Sequence, residues 1–269
     1  MRPADLFKAP PAREAVPAGF GPGSYMQCPG ALERLGEIAG REAVIIADGL
    51  IAGKYAGCAS GYCGGRVLVF GGECCVEELK RIKTLAGGPD AVVGLGGGKA
   101  MDISKLVAAE TGASLYLAPT SAATCAAWTK VAVLNGEDGA YETTVDLDCP
   151  AEKVLVDAEI AAGAPLRLLR GGMGDALAKY YESMAVSSGG AIEAGALGIG
   201  LHMKNEIARC GGTAAHGGEL SHAAAERIIA CNIALCGMVS ELGCFSAGFS
   251  HAFANGMSRL GGRLGFLHG

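Results

Sequence analysis

The chain has 269 residues, of which 50% are hydrophobic and 18% charged, and its formal net charge is −5. This composition predicts a globular protein with a sizeable buried core in one large or two ordinary domains. The negative charge and the absence of lysine and arginine clusters argue against nucleic-acid and membrane-surface partners, and neither a signal peptide nor a bilayer-spanning apolar run is evident. We therefore expect a cytoplasmic protein.

The 11 cysteines are an odd number, and none forms a Cys-x-x-Cys pair. Their closest spacings are Cys74–Cys75, Cys58 to Cys63 and Cys231 to Cys236. Paired zinc knuckles and a thioredoxin-like redox site are therefore not expected. In the absence of a secretion signal, the pattern favours reduced thiols that are mostly buried.

The first half of the chain alternates short apolar runs with helical patterns. The apolar runs lack polar alternation, as is typical of strands covered on both faces, and lie at residues 43–47, 66–70, 91–95 and 115–118. Helical patterns lie between them, most clearly at residues 76–85 and 99–110. This rhythm predicts βαβ units and a Rossmann-like parallel sheet in an α/β protein.

The second half of the chain has a different character. Two more strands are predicted at residues 131–134 and 153–156, and residues 135–139 between them (Asn-Gly-Glu-Asp-Gly) have the composition of a hairpin turn. Beyond Gly163-Ala-Pro165 no convincing strand is found, and helices are predicted near residues 174–183, 191–210 and 219–242. The sequence thus predicts an α/β domain at residues 1–162, followed by an all-helical domain at residues 163–269.

A glycine-rich loop, Gly94-Leu-Gly-Gly-Gly-Lys-Ala-Met-Asp102, follows a predicted strand and opens a predicted helix. Glycines in this position let backbone N–H groups approach a pyrophosphate, and the helix N-terminus favours its negative charge. The loop matches neither the G-x-G-x-x-G pattern, because Lys99 replaces the last glycine, nor the P-loop pattern, because no Ser or Thr follows Lys99. Taken alone, the loop indicates either a phosphate-binding site or a tight turn.

Other short segments accompany this loop from about Pro22 to the end of the chain. They are Phe70-Gly-Gly-Glu-Cys74, Gly96-Gly-Gly-Lys-Ala-Met-Asp102, Ala118-Pro-Thr-Ser-Ala-Ala-Thr124, Gly163-Ala-Pro165, Gly172-Met-Gly-Asp-Ala-Leu-Ala178 and Ser250-His-Ala-Phe-Ala-Asn-Gly256. In this order they resemble the glycerol dehydrogenase and hydroxycarboxylate dehydrogenase branch of the iron-containing alcohol dehydrogenase superfamily. The resemblance implies a dehydroquinate synthase-like architecture, in which a dinucleotide-binding domain precedes a helical metal and substrate domain.

The resemblance also implies which residues hold the dinucleotide. They are Gly97, Gly98, Lys99, Asp102, Thr120, Ala123, Thr129, Val131 and Asn135. Asp48, at the end of the first predicted strand, would lie at the adenosine ribose, where a carboxylate accepts hydrogen bonds from a 2′-hydroxyl and repels a 2′-phosphate. The expected cofactor is therefore NAD, with NADP as the alternative. From the residues alone, Asp48 could instead be a turn residue beside Gly49.

Asp175, His251 and His268 match the three metal ligands of the family and are the expected catalytic residues. Three N/O ligands and one open position suit catalytic zinc, although two histidines and a carboxylate could also hold Fe(II). The iron-dependent relatives have a ligand histidine one helical turn after the aspartate, where this chain has Lys179, so zinc is favoured. Taken singly, Asp175 could be a helix N-cap and His251 a core histidine.

The substrate region departs from that of glycerol dehydrogenases. Their aspartate near the substrate hydroxyls is replaced here by Cys125, and the run Ala122–Thr129 is closer to the hydroxycarboxylate dehydrogenases. The loss of a negative charge favours a 2-oxo or 2-hydroxy acid over glycerol. Trp128 is predicted either to wall the substrate pocket or to pack in the core, and Lys130 and Lys179 could meet a substrate carboxylate.

The chain also departs from the family in length. Family members continue past His268-Gly269 with more helices, so we expect a chain that is truncated at the C-terminus, with an incomplete helical domain. We predict a metal-dependent, NAD(P)-linked oxidoreductase, a homo-oligomer, that moves a hydride between nicotinamide and a small 2-oxo or 2-hydroxy acid or polyol. The alternatives are glycerol dehydrogenase proper and a truncated, inactive dinucleotide-binding protein; the motifs of dehydroquinate synthase match less well.

Overall fold

The computed structural model describes residues 19–38, 40–148, 150–215, 220–243 and 248–261. Its strands are β1 (Tyr25–Cys28), β2 (Ala43–Asp48), β3 (Arg66–Phe70), β4 (Ala91–Gly96), β5 (Ser114–Pro119), β6 (Val131–Asn135), β7 (Tyr141–Asp146) and β8 (Lys153–Asp157). Six of them form one sheet in the order β1-β8-β5-β4-β2-β3, in which all neighbouring strands are parallel. The predicted parallel sheet is confirmed.

Helices connect most of these strands and make up the helical part of the chain after β8. They are α1 (Gly49–Ile51), α2 (Gly57–Cys63), α3 (Val76–Ala86), α4 (Gly98–Thr111), α5 (Ala158–Ala162), α6 (Leu166–Val186), α7 (Ala191–Ala215), α8 (His222–Ala230), α9 (Cys236–Leu242) and α10 (Phe249–Gly261). A 3₁₀ helix spans Ala31–Ile38. Two π-helical turns, Ala52–Ala56 and Cys231–Leu235, join α1 to α2 and α8 to α9.

The strands of the large sheet direct alternate side chains into two separate cores. Val44 and Ile46 pack with residues of α3 and α4 on one face, whereas Ala43 and Ile45 pack with α2 and the 3₁₀ helix on the other. The helices that follow β2 and β4 therefore lie on opposite faces, although these two strands are neighbours. A crevice opens between the carboxyl ends of such a pair, and this is where parallel sheets bind ligands.

The predicted hairpin turn at residues 135–139 is confirmed. The strand predicted to follow it, at residues 153–156, is not the second strand of the hairpin. β6 pairs with β7 in an antiparallel ladder, and β8 instead joins the large sheet between β1 and β5. The apolar run of β8 is buried, as a strand covered on both faces requires. β7 is polar and largely exposed, so it carries no apolar signal from which it could have been predicted.

The helical region predicted after residue 163 is confirmed, because no described residue after β8 belongs to a strand. α6 begins at Leu166, directly after Pro165, and not near residue 174 as predicted. Proline is well tolerated at a helix start, where its missing N–H costs no hydrogen bond. The division into domains at residues 162 and 163 stays a prediction, since one apolar core cluster contains residues of both the sheet and the helices.

One described helical segment, His222–Leu242, is long and apolar enough by length and composition to cross a membrane, although no such run was predicted from the sequence. Within its most apolar window, 56% is buried inside the protein. Ile228, Ile229 and Val239 in this segment have no exposed surface. The apolar character of this segment therefore fits a core helix.

Glycines bring the helical region into close contact with the segment that follows β5. On α6, a Cβ added to Gly172 would overlap the carbonyl oxygen of Ala122 and the side-chain amide of Asn232. On α9, a Cβ added to Gly237 would overlap the ring of Trp128. Because these backbones approach so closely, both helices are held at a fixed distance from the end of the sheet where the crevice lies.

Substitution of Gly237 by alanine should destabilise the protein by about 1–3 kcal/mol, because the added methyl group must displace the Trp128 ring. The free energy of unfolding from urea denaturation measures this effect. Gly198→Ala is the control, since a Cβ added at this position of α7 meets no atom within 4 Å outside its own helix. The control should be neutral or gain up to ~1 kcal/mol from helix propensity, and equal stabilities of Gly237→Ala and wild type would contradict the packing described.

Candidate active site

The glycine-rich loop lies at the carboxyl end of β4, in the crevice between β2 and β4. β4 ends at Gly96, Gly97 is extended, and α4 begins at Gly98 without a side-chain cap. Gly96 has a φ of +150°, and a Cβ at this position would lie 2.9 Å from that of Ala100. The loop is therefore bare backbone next to an uncapped helix N-terminus, which is a favourable place for a pyrophosphate.

Lys99 and Asn135, both predicted to contact the dinucleotide, are brought together by Glu73. The Nζ of Lys99 lies 2.5 Å from Oε2 of Glu73, and the Nδ2 of Asn135 donates to Oε1 at 2.7 Å. Glu73 is buried, whereas the Lys99 side chain is 51% exposed. The ammonium group of Lys99 is thus held at the rim of the glycine loop and remains accessible to an anion.

Asp102 and Val131 are connected through Lys105. The buried carboxylate of Asp102 accepts hydrogen bonds from Nζ of Lys105 at 3.0 Å and from the N–H of Val133 at 3.3 Å. Lys105 also donates to the carbonyl oxygen of Val131 at 2.6 Å. These bonds fasten β6 to α4, and they thereby place Asn135, at the end of β6, beside the loop.

Asp48 occupies the end of β2, on the other side of the crevice. Its Oδ1 accepts hydrogen bonds from the N–H groups of Leu50 at 3.1 Å and Ile51 at 3.0 Å and so caps α1. Its Oδ2 would lie 3.5 Å from a Cβ at Gly96. One oxygen of Asp48 is therefore an N-cap, and the other lies next to the glycine loop.

The segment that follows β5 links the glycine loop to α6. The Oγ1 of Thr124 would lie 3.1 Å from a Cβ at Gly98. The Sγ of the next residue, Cys125, lies 2.9 Å from Nζ of Lys179 on α6. Thr124 thus lies beside the glycine loop, and the next residue, Cys125, contacts α6.

Four more predicted site residues belong to this segment. Thr120 and Thr129 are buried, Ala123 is half-buried, and the N–H of Thr120 donates to the carbonyl oxygen of Gly96 at 2.9 Å. Trp128 is buried, and its ring centroid lies 5.6 Å from that of Tyr25. Together with the close approach of α9, these contacts of Trp128 fit the core-packing alternative.

Asp175 is the centre of the second half of the site. It lies well inside α6 and is 1% exposed, so it is not a helix N-cap. Its Oδ1 lies 3.0 Å from Nε2 of His251 and its Oδ2 lies 3.0 Å from Nζ of Lys179. The Sγ of Cys236 is 3.9 Å from the same Oδ2. One buried carboxylate thus gathers groups from α6, α9 and α10.

Asp175 and His251 fit a divalent metal ion. In a tetrahedral site, two ligand atoms at about 2.0–2.2 Å from one ion are separated by about 3.3–3.6 Å. Oδ1 of Asp175 lies 3.0 Å from Nε2 of His251, so a side-chain movement of about half an ångström would admit an ion between them. Glu182 accepts from Nδ1 of His251 at 2.7 Å and from the N–H of Ser250 at 2.7 Å. A carboxylate on the second ring nitrogen is the arrangement that orients metal-binding histidines.

Charges are strongly coupled in this buried cluster. Burial alone would lower the pKa of His251, but its hydrogen bond to Asp175 and the nearby carboxylates outweigh burial and raise that pKa. Burial likewise opposes the charge of Lys179, yet Asp175 and Cys125 hold its pKa above the usual value. A hydrogen bond from Cys236 and the charge of Lys179 lower the pKa of Cys125 despite burial. The cluster thus favours a thiolate at Cys125 beside an ammonium at Lys179.

The structure brings together two of the three predicted metal ligands, because His268 lies outside the described residues. The predicted site residues do not include Glu73, Glu182 or Cys236. Glu182 stands about two helical turns after Asp175 and so on the same helix face, which was an available signal. Cys236 carried no comparable signal, since only the packing of α9 against α6 places it here.

The sequence of the chain matches those of known dehydrogenases. A model of the family described as iron-containing alcohol dehydrogenase matches residues 22–158. The glycerol dehydrogenase of Escherichia coli O6:H1 is 32% identical over 272 residues, which cover 92% of this chain and 72% of that protein. Hydroxycarboxylate dehydrogenase A of Escherichia coli is 31% identical over 180 residues, covering 62% of this chain and 48% of that protein.

Solved structures show the same relationship. A probable glycerol dehydrogenase from Sinorhizobium meliloti superposes with a TM-score of 0.78 at 32% identity, covering 92% of this chain and 72% of that one. The chain therefore belongs to the iron-containing alcohol dehydrogenase family, which implies a dehydrogenase that works with NAD(P) and a divalent metal ion.

Proposed function

We propose that this protein is a metal-dependent, NAD-linked oxidoreductase that interconverts a small 2-oxo acid and the corresponding 2-hydroxy acid. The observation that carries the proposal is the adjacency of Thr124, beside the glycine loop, and Cys125, beside Lys179 and Asp175. A nicotinamide extending from the loop and a substrate at Asp175 would meet at this segment. Such proximity is what hydride transfer requires.

Residues of the crevice would hold the dinucleotide. The N-terminus of α4 and the accessible ammonium group of Lys99 would bind the pyrophosphate. The Oδ2 of Asp48 would accept a hydrogen bond from the adenosine ribose and repel a 2′-phosphate, which favours NAD over NADP. When bound, the nicotinamide supplies or accepts the hydride.

Residues of the helical region would hold the metal ion and the substrate. Asp175 and His251, with His268 by family resemblance, would be the ligands, and zinc is favoured over iron because Lys179 stands where the iron enzymes have a histidine. When bound, the ion supplies a Lewis acid for the substrate oxygen. Glu182 keeps Nδ1 of His251 occupied, so that Nε2 faces Asp175.

The charge beside the ligands favours an acid substrate. The ammonium group of Lys179 adjoins Cys125, the position where glycerol dehydrogenases have a carboxylate by resemblance. A substrate carboxylate would find a positive charge there, whereas a polyol would lack one hydrogen-bond acceptor. Glycerol oxidation is the second candidate, because relatives named glycerol dehydrogenase are 32–34% identical over 92% of this chain.

We infer a cytoplasmic homo-oligomer that acts on small molecules without nucleic-acid or membrane partners. Phe249 and Phe253 of α10 are 83% and 60% exposed and stack on each other. Contacts with a second subunit would cover this exposed aromatic pair.

Steady-state oxidation assays test the substrate class. With NAD⁺ and zinc-loaded protein, kcat/KM for 2-hydroxybutyrate or 2-hydroxyglutarate should exceed that for glycerol and 1,2-propanediol by at least about tenfold, equivalent to ~1.4 kcal/mol. NADP⁺ should be the poorer cofactor because of Asp48. A higher kcat/KM for glycerol would select the second candidate, and NADH binding without turnover of any substrate would select an inactive dinucleotide-binding protein.

Substitution of Glu182 by glutamine should weaken metal binding about 10- to 100-fold, because an uncharged amide orients His251 less well for the metal. Competition with a chromogenic chelator measures zinc affinity, and NADH fluorescence titration should show unchanged dinucleotide binding. Glu193→Gln is the matched control, since Glu193 is also a buried carboxylate but accepts from Ser187 and Ser188. Equal zinc affinity of wild type and Glu182→Gln would remove Glu182 from this role.

A further inference from the structure

A second set of potential metal ligands lies on the other side of Asp175. Both sulfur atoms of Cys125 and Cys236 and a carboxylate oxygen of Asp175 lie within 4.8 Å of one another. The three residues come from the segment after β5, from α9 and from α6, and each is at most 3% exposed. We propose that Cys125, Cys236 and Asp175 bind a thiophilic divalent metal ion, a ligand set different from the one that the family resemblance implies.

The geometry of this cluster suits a tetrahedral ion. Around zinc, with Zn–S of about 2.3 Å and Zn–O of about 2.0 Å, ligand sulfur and oxygen atoms are about 3.5 Å apart and two sulfur atoms about 3.8 Å apart. The Sγ of Cys236 lies 3.9 Å from Oδ2 of Asp175. Since all three ligand atoms lie within 4.8 Å of one another, side-chain movements of about an ångström would suffice to close the site around an ion.

The charges of the cluster also balance. When neither cysteine carries a thiol proton in the metal complex, any such proton having passed to solvent, Cys125, Cys236 and Asp175 carry three negative charges. The ammonium group of Lys179, 2.9 Å from Sγ of Cys125 and 3.0 Å from Oδ2 of Asp175, contributes one positive charge. A divalent cation supplies the other two, so the charges of these four residues and the ion sum to zero, which burial favours.

Lys179 distinguishes this site from an ordinary buried thiol pair. Its ammonium group lies 2.9 Å from Sγ of Cys125 and 3.0 Å from Oδ2 of Asp175, so it offsets part of the negative charge that these ligands would carry around an ion. On metal binding Lys179 would remain a hydrogen-bond donor to the same atoms, a role that N–H groups around metal thiolates commonly have. Thiolate ligands select zinc or cobalt(II) over magnesium, calcium or manganese. This inference depends on the fold of the cluster and not on the proposed reaction.

Cobalt(II) provides the test, because thiolate ligands give it a near-ultraviolet sulfur-to-metal charge-transfer band that nitrogen and oxygen ligands do not. Titration of the reduced, metal-free protein with cobalt(II) should produce this band, and excess zinc should remove it. Cys125→Ser and Cys236→Ser should each lose at least half of its intensity. Cys231→Ser is the matched control, because Cys231 is equally buried in the adjoining π-helical turn but contacts the carbonyl oxygen of Met203.

A second measurement avoids variants that fail to fold. X-ray absorption of the zinc-loaded wild type should show sulfur atoms at about 2.3 Å from the ion. Only nitrogen and oxygen neighbours, or a cobalt band that survives both cysteine substitutions, would overturn the proposal. NAD⁺-linked turnover by the same zinc protein separates the thiolate site from the proposed enzymatic function. Turnover without sulfur ligation would support the function and overturn the thiolate site. Sulfur ligation without turnover would support the thiolate site alone.

Discussion

The carboxylate of Asp175 is almost completely buried, and a buried charge is tolerated only when neighbouring groups replace the water it has lost. His251 and Lys179 supply these interactions at 3.0 Å on its two oxygens, and Cys236 lies beside one of them. These groups come from α6, α9 and α10. The requirement to satisfy one carboxylate therefore fixes how three helices meet.

The same constraint connects the helical region with the crevice of the sheet. Cys125 contacts Lys179, and its neighbour Thr124 lies beside Gly98 at the start of α4. The close approach of Gly172 and Gly237 to the same segment keeps this connection short. The electropositive N-terminus of α4 and the polar cluster around Asp175 are thereby held near each other, as the proposed hydride transfer requires.

Much of the sheet, and the position of the glycine loop at the end of one of its strands, could be predicted from sequence, because these features have local signals. The buried strands β2 to β5 are uninterrupted apolar runs, and the glycine loop between β4 and α4 is a recognisable motif. β7 was missed because it is polar. β8 was placed after the hairpin turn because a turn sequence does not specify which strand pairs across it. Cys236 joins Asp175 only through helix packing, which no sequence pattern reports.

The central claim is that Asp175 is a metal ligand and not merely one partner in a buried ion-pair network. The direct test compares zinc affinity and NADH fluorescence titration for wild type and Asp175→Asn, at matched fold stability measured by urea denaturation. Removal of an anionic ligand should weaken zinc binding by at least the ~10- to 100-fold seen for groups that only orient ligands, while NADH binding at the glycine loop stays unchanged. Equal zinc affinity in the two proteins would contradict the account.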